Sequence, residues 1–480
     1  MSARGRADGA LAIVLDTHMP YVEGFGTWPF GEEWLWEAMA GSYLPLLELL
    51  EAGAPLTLSL TPVLCDQLEA PGIFERFGTF VEEVRGRTHA QDIAGMRSGG
   101  HEELARELER SRSDYESALE RLRGLGGDLL GALGRHAQWT SAATHAVLPL
   151  LATDALVHAQ VRTGVESHRA RVGGSWRGGF WLPECAHAPW LEAPLAEAGV
   201  RAVCVELTER FGLGAPEHLR ALAGEAGVTL VPIDRATISL VWSDAGYPAH
   251  GDYRDYHRHT VHHHNPWCNG GETYDHARAL RRAREHAADF VARTLSRLRE
   301  ARLARPHGEA LPGGGLVVCA LDTELLGHWW YEGVSWLEYV VEECAREGLE
   351  LVRLDDALAR HEPATLKARE GLVVCTWGRG GDLSTWSGAG VAEMAFATRA
   401  AELRTIANTG GLDGDALREL LALQSSDWAF MVSNDLAVPY ARERFAGHLH
   451  ALDRALAGEP EGAGIRNLAV HADPAMPLAP

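Results

Sequence analysis

The chain has 480 residues, of which 46% are hydrophobic and 23% charged, and its formal net charge is −22 at pH 7. This composition is typical of a soluble globular protein that is large enough for one barrel-sized domain and a smaller second domain. The strong negative charge argues against nucleic acid and anionic membrane surfaces as partners, whereas a neutral substrate is not repelled.

Seven cysteines are spread along the chain, with no Cys-x-x-Cys pair among them. The odd number and the apolar surroundings of several of them indicate a reducing compartment and argue against disulfides or a zinc–thiolate site. The first residues lack the apolar core of a signal peptide, and no apolar run reaches the ~18 residues of a membrane span. The sequence therefore predicts a cytoplasmic protein.

Short apolar runs rich in β-forming residues alternate with helical patterns along most of the chain. Such an alternation indicates a parallel sheet that helices cover on both faces. The number of runs predicts a closed or nearly closed β/α barrel. The predicted strands are 11–15, 56–63, 177–182, 200–206, 228–234, 315–321, 350–354 and 371–375.

Helical patterns without strands occur in two insertions and at the end of the chain. The insertions lie near 85–137, with a charged amphipathic helix over 100–125, and at 275–304. The strand pattern stops near residue 390, and the helices predicted after it are 393–408, 414–424 and 437–457. The expected division is a barrel domain over 1–389, a C-terminal helical domain over 390–462 and a mobile tail over 463–480.

Two acidic residues each follow a predicted strand and have aromatic neighbours. Glu184 comes after Trp181-Leu182-Pro183, and Asp322 precedes Trp329 and Trp330. Because the carboxyl ends of parallel strands meet at one face of a barrel, we expect the two side chains to lie close together. Such a pair, flanked by flat rings, suits chemistry at a glycosidic bond, where one acid is the nucleophile and the other the proton donor.

Each acid also has a purely structural interpretation. Glu184 could stabilise the N-terminus of the helical pattern over 188–198. Either Asp322 or Glu324 could cap the helix that follows them, and their spacing does not decide which of the two is chemical.

Asp16 and His18 follow the first predicted strand. An Asp-x-His pair in this position can ligate a divalent metal or can line a cavity without one. His145 and His328 are available as further ligands, but no spacing completes a metal motif, so we predict no metal site. A histidine-rich run over 257–264 lies in a polar, glycine-containing stretch, which predicts an exposed loop.

The chain contains 15 tryptophans, and core packing accounts for part of them. Trp377 and Trp386 flank a glycine-rich stretch after the last predicted strand, where contact with a ligand is more natural than a place in the core. The stretch lacks the lysine and the glycine spacing of a phosphate-binding loop. Indole faces in this position suit the apolar faces of sugar rings.

In chain order, these motifs resemble those of glycoside hydrolase family 57, and within it most those of the 1,4-alpha-glucan branching enzymes and their actinobacterial-type relatives. The resemblance covers nearly the whole chain, and its last two motifs are specific. The four motifs are His18-Met19-Pro20-Tyr21-Val22, Thr144-His145-Ala146-Val147-Leu148-Pro149, Trp181-Leu182-Pro183-Glu184-Cys185-Ala186 and Asp322-Thr323-Glu324-Leu325-Leu326-Gly327-His328-Trp329-Trp330.

The resemblance implies an incomplete seven-stranded β/α barrel with helical insertions and a C-terminal helical bundle. It also implies a retaining mechanism without metal or other cofactor, acting on α-1,4-glucan such as amylose or a glycogen-like polysaccharide. Glu184 is implied as the nucleophile, Asp322 as the acid/base, and His18 and His145 as the lining of the subsite that holds the cleaved glucose. The implied substrate-stacking and acceptor-site residues are Trp28, Trp242, Trp377 and Trp386.

Asp16 departs from the family pattern, because the first motif usually has histidine at this position. A third carboxylate near Glu184 and Asp322 should raise the pKa of the neighbouring carboxyl groups and weaken the nucleophile, unless an arginine pairs with it. A glucan-binding protein with little catalysis is therefore one alternative.

The segment 207–218 is a second departure. Characterised branching enzymes of this type carry a longer, tyrosine-bearing loop here that shields the site from water. A short segment lets hydrolysis compete with transfer, so an alpha-amylase-type hydrolase of the same family is another alternative. A metal-dependent carbohydrate deacetylase or mannosidase on a similar barrel is the alternative that inhibition by a chelator would support.

Overall fold

The computed structural model describes residues 9–26, 30–173, 176–303, 314–365, 374–408, 414–459 and 467–475. Trp28 and most of the strand predicted over 371–375 lie outside these residues. Within them, no helix combines the length and the apolar character that crossing a membrane requires.

One curled sheet forms the centre of the fold. Its seven longer strands run parallel in the order β7-β5-β4-β3-β2-β1-β8, which is the incomplete seven-stranded barrel that the motifs implied. Two two-residue strands, β6 and β10, extend the edge beyond β7, and a third, β9, pairs with the beginning of β1. The strands are β1 (Gly9–Thr17), β2 (Thr57–Leu60), β3 (Ala137–Ser141), β4 (Gly179–Trp181), β5 (Ala202–Val205), β6 (Leu222–Ala223), β7 (Thr229–Pro232), β8 (Gly315–Asp322), β9 (Glu350–Leu351) and β10 (Ala364–Thr365).

Strands β1 and β8 are the longest and are buried along nearly their whole length. Their continuous Val, Ile, Leu and Ala runs fit a parallel pair that is covered on both faces. The register pairs Gly9 with Gly315 and, at the other end, Asp16 with Asp322. The two acids at this end of the strands are therefore direct neighbours across the sheet.

The sheet curls until its two ends approach each other. The backbone N–H of Asp234, just after β7, donates to the carbonyl of Val318 in β8 at 2.9 Å. Arg297, in the long helix His276–Leu303, bonds to the carboxylate of Asp234 at 3.2 Å and so connects the end of β7 to that helix. The barrel is thus nearly closed, although β7 and β8 form no regular ladder.

Helices surround the sheet and form the two insertions and the C-terminal region. A π-helical turn spans Met39–Tyr43 and another spans Phe80–Arg85. The α-helices are α1 (Glu32–Ala38), α2 (Leu44–Glu51), α3 (Pro62–Leu68), α4 (Ile73–Thr79), α5 (Gly86–Ser98), α6 (Glu102–Gly124), α7 (Leu129–Gly134), α8 (Asp154–Val172), α9 (Glu192–Glu197), α10 (Thr208–Phe211), α11 (Arg235–Ile238), α12 (His276–Leu303), α13 (Gly333–Glu347), α14 (Leu354–Leu358), α15 (Ser384–Ser387), α16 (Ala392–Ala407), α17 (Gly414–Leu423), α18 (Ser426–Ser433) and α19 (Val438–Leu456).

The helices predicted in the insertions and after residue 390 are confirmed as α6, α12, α16, α17 and α19, each within two residues of its predicted ends. Two elements next to the sites described below are among those that were not predicted. Strand β3 contains Gln138, Thr140 and Ser141, and its buried hydroxyls bond to backbone carbonyls of neighbouring elements. Helix α18 begins with two serines and an aspartate, a composition that favours loops and caps.

The C-terminal helices pack directly on the barrel. Side chains of α17, α18 and α19 share one hydrophobic cluster with the barrel residues around β3, β4 and β5. Residues 467–475, part of the segment predicted as a tail, contact the barrel. Leu468 is buried, and the backbone N–H groups of Asn467 and Ala469 donate to the carboxylates of Glu23 and Asp66.

Candidate active site

The carboxyl ends of β1, β4 and β8, with the turn after β3, bring the predicted acids and histidines together. Asp16 is the penultimate residue of β1, His145 lies in the turn after β3, Glu184 follows β4, and Asp322 ends β8. The charges of Asp16 and Glu184 both act on Asp322, which places the three carboxyl groups in one electrostatic environment. The sequence-based expectation that these strand ends converge is therefore met by the geometry.

Glu184 has an unusual backbone and is held on two sides. Pro183 keeps Leu182 extended, and Glu184 itself has φ +61°, a conformation that costs a non-glycine residue of order 1 kcal/mol. The indole N–H of Trp377 donates to Glu184 Oε2 at 2.9 Å. His145 Nδ1 lies 3.9 Å from the other carboxyl oxygen.

These partners affect how readily Glu184 ionises. Burial raises its pKa above the usual value, while His145, the Trp377 N–H and Ser426 favour the charged form. The carboxylate therefore has donors aimed at it in an otherwise desolvated site. This is the environment that a nucleophilic carboxylate needs, because hydrogen bonds replace the water that it has lost.

Asp322 lies in the opposite situation. Its pKa is raised well above the usual value, first by burial and then by the negative charges of Asp16 and Glu184, with only His18 acting the other way. Although it precedes a short helical turn, its side chain makes no capping hydrogen bond. A carboxyl group kept protonated in this manner is suited to donate a proton.

Glu324, the other acid of this motif, links the loop after β8 to neighbouring elements through hydrogen bonds. Its Oε1 accepts hydrogen bonds from the Tyr43 hydroxyl at 2.6 Å and from the backbone N–H of His18 at 3.2 Å. Tyr43 belongs to the π-helical turn, a feature that is often found beside functional sites. These contacts engage Glu324 within the protein, whereas Asp322 makes no capping hydrogen bond, and this difference favours Asp322 over Glu324 as the acid that acts on a substrate.

Asp16 pairs with a histidine rather than with an arginine. Its Oδ2 lies 3.2 Å from Nε2 of His145, and the side chain is 1% exposed. Burial, with a contribution from Asp427, raises the pKa of Asp16 to about 7. Burial and the His18 charge lower the pKa of His145 to about 3, so this imidazole is neutral.

The protonation of Asp16 determines the tautomer of His145. Below about pH 7, the Asp16 carboxylic acid donates to Nε2, and the Nδ1–H of His145 can donate to Ser426 Oγ at 3.0 Å. Above this pH, the Asp16 carboxylate accepts from Nε2–H, and Nδ1 becomes an acceptor. The extra negative charge of Asp16 is therefore present only above about pH 7.

His18 carries the positive charge of the site. Its ring stacks on His145 with centroids 4.0 Å apart, and its Nε2 bonds to Asp427 Oδ1 at 2.9 Å. Burial disfavours the imidazolium, but the Asp427 carboxylate outweighs burial and raises the pKa of His18 to about 9. Asp427 in turn has a lowered pKa, because His18 overcomes the effect of its burial.

Ser426 and Asp427 are site residues that the sequence analysis missed. They begin α18, and the backbone N–H of Ser426 donates to the carbonyl of His145, so this helix is docked on the turn after β3. The polar run Gln424-Ser425-Ser426-Asp427 between two apolar helical stretches is the signal that could have revealed them.

The predicted tryptophans occupy different positions. Trp377 contacts Glu184 directly. Trp386 is buried against Val147 and Ala186 and lines a cavity together with Ser425 and Ser426. Trp242 is 40% exposed and packs edge-on against Trp329 at the rim. Trp28 lies outside the described residues.

The histidine-rich run is only partly exposed, contrary to the prediction. His264 is buried and its ring lies 3.6 Å from that of His89 in α5. Asp92 of the same helix bonds to His262 and to Thr260, so the loop is docked on the first insertion. Among the residues that the structure describes, no group of three or more His, Cys, Asp or Glu side chains is arranged to hold a metal ion.

The His18–Asp427 pair generates a pH-dependent prediction. Because the pKa of His18 is raised to about 9, its stabilisation is complete below about pH 6.5 and is lost as pH rises through about 9. We expect Asp427→Asn to lower the free energy of unfolding by about 3 kcal/mol at pH 6, with the difference shrinking above pH 9. Denaturation at several pH values and NMR titration of His18 measure both effects.

Asp453→Asn is the matched control, since Asp453 pairs with Arg404 on the exposed face of the same C-terminal region. It should change stability by less than about 1 kcal/mol at any pH. An unchanged His18 pKa in Asp427→Asn would contradict the assignment of this ion pair.

The chain resembles proteins of known family along nearly its whole length. The model of glycosyl hydrolase family 57 matches residues 134–369, and the model of the 1,4-alpha-glucan branching enzyme C-terminal region matches residues 396–463. A probable 1,4-alpha-glucan branching enzyme of Mycobacterium tuberculosis is 33% identical, over 94% of this chain and 92% of that protein.

Solved structures agree with the sequence relatives. The family 57 branching enzyme of Thermococcus kodakaraensis, crystallised with glucose, superposes with a TM-score of 0.84 at 29% identity, over 98% of this chain and 96% of the other. The branching enzyme of Pyrococcus horikoshii gives the same TM-score at 30% identity, over 93% and 90% of the two chains. This chain therefore belongs to glycosyl hydrolase family 57.

Proposed function

We propose that this protein is a 1,4-alpha-glucan branching enzyme, which transfers a segment of α-1,4-glucan to a 6-hydroxyl group with retention of configuration. The observation that carries the proposal is the contrast between Glu184 and Asp322. Burial raises the pKa of both carboxyl groups, but three neighbours, His145, Trp377 and Ser426, favour the charged form of Glu184, whereas only His18 does so for Asp322, whose pKa is raised well above its usual value. The similarity of both the barrel and the C-terminal region to branching enzymes supports transfer as the main reaction.

The reaction proceeds in two displacements. In the first, a carboxylate oxygen of Glu184 attacks the anomeric carbon, and Asp322 gives its proton to the leaving glycosidic oxygen. The bond to the leaving chain breaks as the glycosyl–enzyme ester forms. In the second, the Asp322 carboxylate takes the proton of the incoming 6-hydroxyl, whose oxygen attacks the anomeric carbon and releases Glu184.

The surrounding residues position the nucleophile and bind the substrate. The Trp377 N–H holds Glu184 in place for attack, and the His18–Asp427 pair presents polar groups for the hydroxyls of the cleaved glucose. Asp427 and Ser426 come from the helical region after residue 390. We keep the boundary between a catalytic domain over 1–389 and a helical domain over 390–462, and in this division the second domain completes the site of the first.

A hydrolase of the amylase type is the second candidate, and the segment 207–218 favours it. After the short helix α10, the segment turns at Gly212 and Gly214, which both have positive φ, and Leu213 between them is 66% exposed. With a segment of this length, we expect the site to stay open on this side. Water then competes with the glucan hydroxyl for the glycosyl–enzyme.

The third alternative, a glucan-binding protein with weak catalysis, rested on the charge of Asp16. With its pKa near 7 and its bond to His145, Asp16 is largely neutral on the acid side of neutrality, where the nucleophile keeps its donors. Activity is therefore compatible with this residue. We also propose a cytoplasmic location, which the seven free, buried cysteines support.

Product linkage distinguishes the two catalytic candidates. Amylose incubated with the purified protein is expected to give new α-1,6 anomeric signals in its proton NMR spectrum, with few new reducing ends. Reducing-end signals without α-1,6 signals would establish the hydrolase instead. Inclusion of EDTA tests the metal-dependent alternative, because loss of activity in the chelator would contradict the proposed mechanism.

Azide identifies the roles of the two acids. With α-maltosyl fluoride, whose leaving group needs no proton, Glu184→Ala should lose activity at least about a thousandfold and regain part of it in azide, yielding the β-azide. Asp322→Ala should form the glycosyl–enzyme and yield the α-azide. NMR of the products assigns each anomer, with the wild type in azide as the control. The same anomer from both variants would be inconsistent with double displacement.

Asp16 should affect the alkaline limb of the pH profile. Because its charge raises the pKa of Asp322, Asp16→Asn lowers that pKa while keeping a side chain that can bond to His145. Asp322 must be protonated to donate, so the rate falls as pH rises through its pKa. The alkaline limb of kcat/KM is therefore expected at lower pH in Asp16→Asn. A limb that stays in place would show that Asp16 does not influence the donor.

A further inference from the structure

A row of exposed aromatic rings extends from the candidate active site across the face of the first insertion. Trp242, Trp329 and Tyr256 are each about 40% exposed, whereas most aromatic side chains that the structure describes are buried or half-buried. Trp242 contacts Trp329 edge-on at 5.8 Å, and His328 lies 5.9 Å from both Trp329 and Tyr256. The four rings form a continuous row, which we call the aromatic track.

The track borders a cleft between the loop after β8 and helix α6. The cleft is small, with a cavity volume of about 90 Å³, so it does not enclose a whole sugar chain. Its lining combines the outer three rings of the track with polar side chains. The polar residues are Glu37, Ser111, Asp114, Tyr115, Arg254, Asn265 and Tyr331.

The charged groups in this lining are already paired within the protein. Glu37 accepts from Arg85 and from the Tyr115 hydroxyl, and Asp114 Oδ2 accepts from the Tyr331 hydroxyl at 2.6 Å. Arg254 bonds to Glu107 and lies 3.7 Å from the Tyr331 ring. An ionic ligand would have to displace these partners, whereas a neutral, hydroxyl-rich ligand can bond to their remaining lone pairs and N–H groups.

The track is structurally continuous with the candidate active site. The backbone N–H of Trp329 donates to the carbonyl of Glu324 at 3.1 Å, and the Glu324 carboxylate accepts from the backbone of His18. Gly41 and Gly327 pack so closely that a Cβ on Gly327 would meet the Gly41 carbonyl oxygen at 1.9 Å. The loop that carries Trp329 is thus fixed against the π-helical turn, at a set distance from Asp322.

From this arrangement we propose that Trp329, His328 and Tyr256, with the cleft beneath them, bind the part of a neutral α-glucan chain that extends beyond the catalytic site. This inference rests on the proposed function and specifies how a long glucan is held. Ring faces stack on the apolar faces of successive glucose units, and the paired polar groups of the cleft bond to their hydroxyls. The site therefore distinguishes long glucans from short ones.

Retardation in gels that contain amylose tests the track without requiring catalysis. Trp329→Ala and Tyr256→Ala should each weaken the apparent affinity for amylose by about tenfold, because each loses a stacking ring. Tyr256→Phe keeps the ring and should retain most of the affinity. Trp190→Ala is the matched control, because Trp190 is an exposed tryptophan after β4 that lines neither the cleft nor the track.

The kinetic counterpart is KM measured with long amylose and with maltoheptaose. Trp329→Ala and Tyr256→Ala should raise KM more for amylose than for maltoheptaose. Wild-type affinity in both variants, or an equal loss in Trp190→Ala, would overturn the assignment of the track. Failure of the wild type itself to bind amylose would contradict the proposed function, which separates the two cases. Thermal melting of each variant verifies that it is folded.

Discussion

The burial of several carboxyl groups around two histidines is the constraint on which this site depends. Asp16, Glu184, Asp322, Glu324 and Asp427 converge at the open end of the barrel. They cannot all be ionised there, because desolvation and mutual repulsion both oppose it. The fold resolves the conflict by giving each acid a different partner.

Because their partners differ, the acids differ in how readily they ionise. Asp427 stays charged beside the His18 imidazolium, and Glu184 receives the Trp377 N–H. Glu324 receives the Tyr43 hydroxyl, which leaves Asp322 with the least compensation and a strongly raised pKa. Two acids whose pKa values are driven apart by their surroundings are what acid/base and nucleophilic roles require. The proposed roles thus rest on the packing of neighbours and not on the acids alone.

The helical region after residue 390 has a part in this balance. It contributes Asp427, which among the neighbouring acids does most to raise the pKa of His18, and Ser426, which bonds to the ring of His145. The charge pattern of the barrel end therefore depends on the docking of α18. This dependence gives a physical reason why the barrel and the helical region occur together in relatives of similar length.

Much of this arrangement could be predicted from the sequence, because strong signals reflect local physics. Continuous apolar runs predicted the parallel strands, and Pro183 predicted the break at which Glu184 stands. The missed elements lack such signals. Strand β3 is buried through hydroxyls that bond to neighbouring backbone, and α18 begins with serines that resemble a loop. Asp427 meets His18 across more than 400 residues of chain, a contact that no local pattern encodes.

Asp16 shows how a substitution at the centre of such a network can be accommodated. Histidine at this position would add another imidazole beside His18 and His145, whereas a carboxylic acid in its neutral form can still bond to Nε2 of His145. The neutral acid therefore keeps a hydrogen bond to His145, and the additional negative charge appears only when Asp16 ionises. Because β1 and β8 are in register, that charge forms directly beside Asp322, so its effect falls on the proton donor more than on the nucleophile. The hydrogen bonds of the site are thus kept, while the pKa of Asp322 comes to depend on whether Asp16 is ionised.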